Sequence, residues 1–261
     1  MQFRDKVVAI TGAAGGIGRE LCRHFGAEGA VIAALDRSEA VTGLAEALGA
    51  SGVRAQSAVV DIGDSTAVAS AFAELIAALG PVDILVNNAG VSRNPSLERT
   101  TPEGWRDDVN ANLNGAFNCS HAVLPAMKER RAGVIVNIGS VNGLGALGDA
   151  AYSAGKAGMI SLTKSLAVEF GRYGIRANIV CPGTVRTPIW DERASRYPGV
   201  LEELQRWYPL RRIVEPIEVM RAVAFLASDA ASAITGVVLP VDCGLSAGNI
   251  VMARELTLED F

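Results

Sequence analysis

A chain of 261 residues that is 49% hydrophobic but only 5% aromatic must build its core from Ala, Val, Ile and Leu, the composition of buried parallel strands flanked by helices. Its formal charge of −4 comes from interspersed acidic and basic residues with no basic stripe, which argues against nucleic acid or an anionic membrane surface as partner. Cys22, Cys119, Cys181 and Cys243 stand far apart, none in a CxxC pair or at ligand spacing from His24 or His121, so neither a disulfide scaffold nor a metal site is expected.

Met1 to Lys6 leads at once into Val7-Val8-Ala9-Ile10, too short and too charged for a signal peptide. No apolar run reaches the ~18 residues of a membrane helix, and the expectation is a cytoplasmic protein. Strands are predicted at 7–11, 31–35, 54–60, 83–87, 133–138, 175–181 and 237–241, each followed by a Gly, Asn or Asp turn signal. Between them, Arg19 to Ala27 reads as a helix, and Ala67 to Leu79 and Ser161 to Tyr173 space their apolar residues to cover one face of a sheet. The alternation predicts the α/β class: right-handed crossovers building a doubly wound parallel sheet of about seven strands with helices on both faces. Length alone permits two small domains, but no linker, repeat or low-complexity tract divides the chain, so one domain over 1–261 is expected. The least regular stretch, 182–216, contains Pro188, Pro198 and Pro209, and a loop of that length is usually functional or disordered. The mixed C-terminal segment 246–261 is expected to dock on the body or on another subunit.

The first strand runs into Thr11-Gly12-Ala13-Ala14-Gly15-Gly16-Ile17-Gly18. Glycines there let the backbone approach a pyrophosphate while the following helix offers free N–H groups, although a ligand-free glycine turn has the same composition. Asp36 ends the second strand eighteen residues past Gly18, near the ~20 at which an acidic residue meets the adenosine ribose. A carboxylate there accepts from both ribose hydroxyls and repels a 2′-phosphate, which favours NAD over NADP; Arg37 beside it would pair with a phosphate, and a simple helix-capping role for Asp36 stays open. Asn87-Asn88-Ala89-Gly90 closes another strand, its amides either bracing neighbouring strands or contacting the nucleotide.

Ser140 closes the run Val134 to Gly139, at the end of a parallel strand that faces a ligand crevice, where a hydroxyl would hold a substrate oxygen; a turn serine is the plain alternative. Tyr152 and Lys156 share a helix face at a four-residue separation. A nearby ammonium stabilises a phenolate and makes it a usable base, though a surface tyrosine and lysine would show the same short pattern.

In their order and spacing these residues resemble the short-chain dehydrogenase/reductase family in its branch of about this length, over almost the whole chain: the TGxxxGxG loop, Asp36, Asp61-Ile62, Asn87 to Gly90, Asn112, Ser140, Tyr152, Lys156, and Pro182-Gly183 through Thr187. The resemblance implies a Rossmann-like sheet, a homotetramer and, by family analogy, a substrate loop at about 188–212. It makes Tyr152 the general acid/base, has Lys156 bind the nicotinamide ribose and lower the tyrosine pKa, and gives Ser140 the substrate oxygen. Asn112 would anchor a water relay behind Lys156, with Asn110 and Asn114 as near neighbours. For the cofactor it implies Gly12, Ala14, Gly15, Gly16, Ile17 and Gly18 at the pyrophosphate and Asp36 and Arg37 at the adenosine ribose. Asp61 and Ile62 would flank the adenine, Asn88, Ala89 and Gly90 line the path, and Pro182, Gly183, Val185 and Thr187 meet the nicotinamide. Two features depart from many relatives. Gly15 stands where they carry a basic residue, which again favours NAD, and the Ser140-to-Tyr152 spacing is one residue short, which predicts a particular shape for 141–151.

The reading is an NAD-dependent oxidoreductase interconverting a secondary alcohol and a ketone on a small polar substrate such as a sugar, polyol or hydroxy acid. An NADPH-using reductase of the 3-oxoacyl-carrier-protein type shares these motifs, and a nucleotide-binding protein without turnover would share the fold. Arg93 and Asn142 are candidate polar contacts near the pocket, or ordinary loop residues.

Overall fold

The computed structural model describes residues 1–93 and 95–260; Asn94, Phe261 and the side chain of Ile189 lie outside the described residues, so the segment 246–261 is seen as far as Asp260. In chain order the elements are β1 (Val7–Thr11), α1 (Gly16–Ala27), β2 (Val31–Asp36), α2 (Ala40–Ala50), β3 (Ala55–Val59), α3 (Ser65–Leu79), β4 (Ile84–Asn87), α4 (Pro102–Val109) and α5 (Gly115–Arg130). They continue with β5 (Gly133–Ile138), α6 (Ala150–Phe170), β6 (Ile175–Pro182), α7 (Pro188–Arg196), α8 (Val200–Gln205), α9 (Pro216–Ala227), β7 (Val238–Val241) and α10 (Ile250–Thr257).

The seven strands form one sheet in the order β3-β2-β1-β4-β5-β6-β7, and every pairing is parallel. From β1 the chain steps outward to β2 and β3, then crosses back to β4 on the other side of β1. That reversal opens a crevice above the carboxyl ends of β1 and β4, where open sheets bind ligands. The register brings the ends level: Thr11 pairs with Leu35, Asp36 with Val59 and Asn87 with Asn137.

Both faces of the sheet are covered, which is why its strands read as continuous apolar runs. Val8, Ile10, Ile84, Val86, Val136 and Val180 point to one face, where Leu21, Phe25, Leu44, Val219 and Val223 of α1, α2 and α9 pack. Val7, Ala9, Leu85, Ile135 and Ala177 point to the other, against Phe72 and Leu75 of α3, Val123 and Met127 of α5, and Leu166 of α6. Phe25 and Phe72 are buried, and burying a side chain of this kind contributes about 1.5–3 kcal/mol. Asp64 begins α3 by accepting from the Thr66 and Ala67 amides at 2.9 and 3.0 Å, satisfying donors that a first turn leaves open.

Differences from the sequence expectation fall at edges and ends. β3 is shorter than 54–60 because it is the sheet edge, with Val59 45% exposed. The helix predicted over 161–173 is the second half of the longer α6, and its last three residues are a separate tight turn, Gly171–Tyr173, closed by Gly174 at φ +71°. The substrate loop 188–212 contains α7 and α8; Pro188 is the first residue of α7, where its missing N–H costs nothing. Residues 246–260 form a tight turn and α10, an eight-residue helix with none of its residues buried. Among the described residues no helix is long and apolar enough to cross a membrane.

Candidate active site

The glycine loop is held by its neighbours rather than by its own composition. The Thr11 hydroxyl accepts from the amides of Asn88 and Ala89 at 3.1 and 3.0 Å, and the Asn88 amide donates to the carbonyls of Thr11 and Gly12, both at 3.0 Å. Asn88 therefore braces β4 against the loop, one of its two expected roles. Gly12 has φ +64°, and a Cβ there would stand 2.8 Å from Ala89 Cα; at Gly18 it would stand 2.1 Å from the Gly12 carbonyl oxygen. These two positions require glycine. α1 starts at Gly16 after Gly15, which has no side chain to cap it, so its first-turn N–H groups face the crevice without a side-chain acceptor. Arg19 closes the loop from the helix side, its Nε donating to the Ala14 carbonyl at 2.8 Å.

Asp36 accepts from the Ala14 amide through Oδ2 and from the Ser38 amide through Oδ1, both at 2.9 Å. It does not cap α2, whose N-cap is Glu39. The carboxylate instead ties the end of β2 to the glycine loop, on the wall of a cavity of about 660 Å³. That cavity is also lined by Gly12, Ala14, Gly15, Gly16, Ile17, Arg37, Asp61, Ile62, Asn88, Ala89, Gly90 and Thr187, most of the residues expected at the nucleotide. Gly18 lies under the loop. Pro182 and Gly183 end β6 behind the cavity, and the Val185 side chain is buried in the core, so contact there would come from its backbone.

The catalytic candidates converge at the carboxyl ends of β4 and β5. Asn112 lies in a π-helical stretch, Asn110–Asn114, between α4 and α5, a widened turn of the kind often found at functional sites. Its amide donates to the carbonyls of Val91 at 2.6 Å and Asp108 at 2.8 Å, and its Oδ1 accepts from the Val91 amide at 3.2 Å. Lys156 is buried, its ammonium donating to the Ile138 carbonyl at 2.8 Å and lying 5.6 Å from the Tyr152 ring centre. A Cβ on Gly90 would be 2.7 Å from Asn112 Oδ1 and 3.1 Å from Lys156 Nζ, so Gly90 is the floor on which both side chains meet. Asn110 and Asn114 are bonded to each other at 3.0 Å and do not join this group.

Ser140, 8% exposed, lies two residues past the end of β5 and accepts from the Asn142 amide at 3.1 Å. The segment that follows has a tight turn at Val141–Gly143, then Gly148 and Asp149 with φ +91° and +46°. Asn142 bonds the Gly148 carbonyl at 3.3 Å and the Ser153 hydroxyl at 3.2 Å, which shapes this turn against α6.

Burial brings the Lys156 ammonium down to about 8. Burial likewise raises the Tyr152 phenol above its ordinary value, with the Ser140 hydrogen bond acting the other way and Asp149 and Cys181 adding to the rise. Desolvation dominates, Ser140 rather than Lys156 supplies the opposing influence, and the phenol here is held protonated. Beneath the group lies Cys181, a buried thiol pushed up to about 11 by burial.

One support was not found from the sequence. Tyr208, 2% exposed, accepts the Thr184 amide on its hydroxyl at 3.0 Å, and Val185 pairs with Val214, so 208–214 frames the loop carrying Thr187. Its signal was an aromatic residue among prolines, too weak to assign. Asn87 donates to Asn137 at 2.8 Å and Ser120 at 3.1 Å, and Asn137 to Thr163 at 2.8 Å, a buried chain that locks β4, β5, α5 and α6 together.

Residues 12–246 match a family model described as enoyl-(acyl carrier protein) reductase. An uncharacterized oxidoreductase of Schizosaccharomyces pombe is 43% identical over all of this chain and 98% of its own. A crystal structure of an oxidoreductase of the short-chain dehydrogenase/reductase family from Burkholderia thailandensis superposes with a TM-score of 0.91 at 50% identity, covering 98% of each chain. A gluconate 5-dehydrogenase from Burkholderia cenocepacia, solved in complex with NADP and tartrate, superposes at 0.88 with 35% identity, covering 95% of this chain and 98% of that one. With this sheet, this glycine loop and these matches, the chain belongs to the short-chain dehydrogenase/reductase family and is an oxidoreductase.

Proposed function

We propose that this chain is an NAD-dependent dehydrogenase, one domain from end to end, that interconverts a secondary alcohol and a ketone on a small polar substrate. The observation that carries the reading is the convergence of Ser140, Tyr152, Lys156 and Asn112 at the strand ends beside a cavity walled by the glycine loop and Asp36. The cavity suits a dinucleotide: glycine backbone lining it at Gly12, Gly15 and Gly16, open N–H groups on α1, and a carboxylate at the end of β2.

A bound nicotinamide supplies the hydride acceptor. The chain supplies orientation and the proton. Ser140 hydrogen-bonds the substrate oxygen and Tyr152 exchanges a proton with it: the hydroxyl proton passes to the phenolate as hydride leaves the carbon, and the phenol returns it when a ketone is reduced. A phenol held protonated is ready to act as the acid of ketone reduction, whereas alcohol oxidation needs its proton lost first. Lys156 lies beside Gly90, which lines the cavity, and would hold the nicotinamide ribose from there. Replacing Tyr152 with Phe is expected to leave NAD binding intact and remove most turnover, read as NADH absorbance; a variant with the wild-type rate refutes the assignment. Binding of NAD with no turnover across a broad alcohol panel would instead favour a non-catalytic nucleotide-binding role.

Two observations favour the NADPH reading: Arg37 lines the cavity beside Asp36, and the Burkholderia cenocepacia relative was solved with NADP. Asp36 argues against it, because its charge would face the 2′-phosphate. Side-by-side titration with NAD and NADP decides, a preference for NADP overturning the proposal. The polar substrate rests on the charged segment over α7 and α8 and on the tartrate in that relative. A cytoplasmic homotetramer completes the reading, consistent with apolar surface at Phe117 on α5 and Val168 on α6, 52% and 83% exposed. Light scattering tests the assembly.

A further inference from the structure

Two cations line the cavity among the described residues, Arg37 and Arg93, and the topology sends them to opposite ends. Arg37 follows β2, on the outer side of β1 with Asp36. Arg93 follows β4, on the inner side shared with β5 and α6. The segment carrying Arg93 is pinned on both flanks to the catalytic group. Val91 is clamped by Asn112, and the Pro95 carbonyl accepts from the amide of Asp149, three residues before Tyr152, at 3.4 Å. The glycine loop and α1 serve the pyrophosphate on the other side of the crevice, so Arg93 is not needed there.

Arg93 is also oriented. Asp108 is 1% exposed, and its two carboxylate oxygens accept from the Arg93 side chain and the Arg93 backbone amide, each at 3.4 Å. The Arg93 side chain as a whole stays 39% exposed. Its planar fork carries five N–H donors, and the Asp108 contact takes one NH1 donor. A buried carboxylate that fixes an arginine whose remaining donors face a cavity makes a preorganised anion receptor.

From this we propose that Arg93 is the residue that selects the substrate, and that the substrate is a hydroxy acid whose carboxylate pairs with the Arg93 guanidinium while its hydroxyl lies between Ser140 and Tyr152. The proposal rests on the alcohol-oxidation reading above. It separates the polar substrates that reading allows: a hydroxy acid is favoured and a neutral sugar or polyol is not.

The test compares wild type, Arg93→Gln and Arg93→Gln/Asp108→Asn on matched pairs, each a hydroxy acid and the polyol of the same length, with NAD as acceptor. Wild type is expected to prefer the acid. Arg93→Gln should raise the KM for the acid about 10- to 100-fold, the range set by losing a hydrogen bond to a charged group, and leave the KM for the polyol and the affinity for NAD unchanged. Added salt should weaken the acid preference of wild type and not of the variant. The double variant removes the buried charge together with its partner; it keeps the comparison available should Arg93→Gln alone fold poorly, and is expected to show the same loss of acid preference. Equal losses on acid and polyol, a fall in NAD affinity, or a wild-type preference for the polyol overturns the proposal. Should no alcohol be turned over at all, calorimetry of malonate binding to the enzyme with NADH still decides. Binding that Arg93→Gln abolishes supports the receptor while the dehydrogenase reading fails, and absent or Arg93-independent binding overturns it.

Discussion

Gly90→Ala isolates the geometry of the catalytic floor. Gly90 has no positive φ, so alanine fits the backbone and any effect comes from the methyl group itself. That group would lie 2.7 Å from Asn112 Oδ1 and 3.1 Å from Lys156 Nζ, both inside normal contact distance. Neither neighbour yields freely. Asn112 is fully buried and fixed by three hydrogen bonds, to Val91 twice and to Asp108, and the Lys156 ammonium is bonded to the Ile138 carbonyl at 2.8 Å. Turning Asn112 away breaks its Val91 pair, at about 1 kcal/mol per bond, and overpacking adds about 1–3 kcal/mol. The expected loss is about 3–5 kcal/mol, a fall in Tm of roughly 6–20 °C for a chain of this size. A shift of about 1 Å in the ammonium should lower kcat about 100-fold, with KM for NAD affected less. Calorimetric melting and NADH absorbance measure the two. Wild-type Tm and kcat together would show that Asn112 and Lys156 are loosely held, and the account of the site would fail.

Asp36→Ala removes the acceptor for the Ala14 and Ser38 amides at once; stability should fall about 1–3 kcal/mol, and a titration should show weaker NAD binding with discrimination against NADP lost. Tyr208→Phe keeps the ring and deletes only the acceptor for the Thr184 amide, so a cost of about 1 kcal/mol is expected together with a raised KM for NAD and little change in KM for the alcohol. For pH, the folded Lys156 loses its proton near 8 while the unfolded chain holds it to its ordinary 10.5. The unfolded state binds more protons in that window, so Lys156 makes stability rise with pH between about 8 and 10.5. Cys181, raised to about 11, works in the opposite sense above 9, so the measurement is the difference between wild type and Lys156→Met in denaturant midpoint; a flat difference refutes the buried ammonium.

What the sequence disclosed and what it withheld divide along the range of the interactions. The strands were legible because burial on both faces writes an uninterrupted apolar run into each, and the doubly wound parallel class follows from right-handed crossovers between them. Tyr152 and Lys156 were legible because one turn of helix fixes their relation, and Gly12 and Gly18 because only glycine tolerates the approach of Ala89 and of the Gly12 carbonyl. The supports were not legible, since each joins residues with no local pattern between them: Asn112 to Val91 across twenty-one residues, Tyr208 to Thr184 across twenty-four. The tyrosine shows the same limit in energetic form. Four-residue spacing puts an ammonium beside Tyr152 and predicts a lowered phenol, yet how deeply both are buried is a property of the assembled fold, and in that fold desolvation wins. Burial that raises a phenol and lowers an ammonium moves the two groups toward neutrality together, so what tips Tyr152 to its basic form must be charge that arrives with the bound reactants. Catalysis in the oxidative direction should therefore depend on pH differently in the free enzyme and in the complex. If the pH dependence of kcat for oxidation lies at lower pH than the titration of the Tyr152 phenol in the free enzyme, binding supplies the missing activation; if the two coincide, the tyrosine is poised by the protein alone.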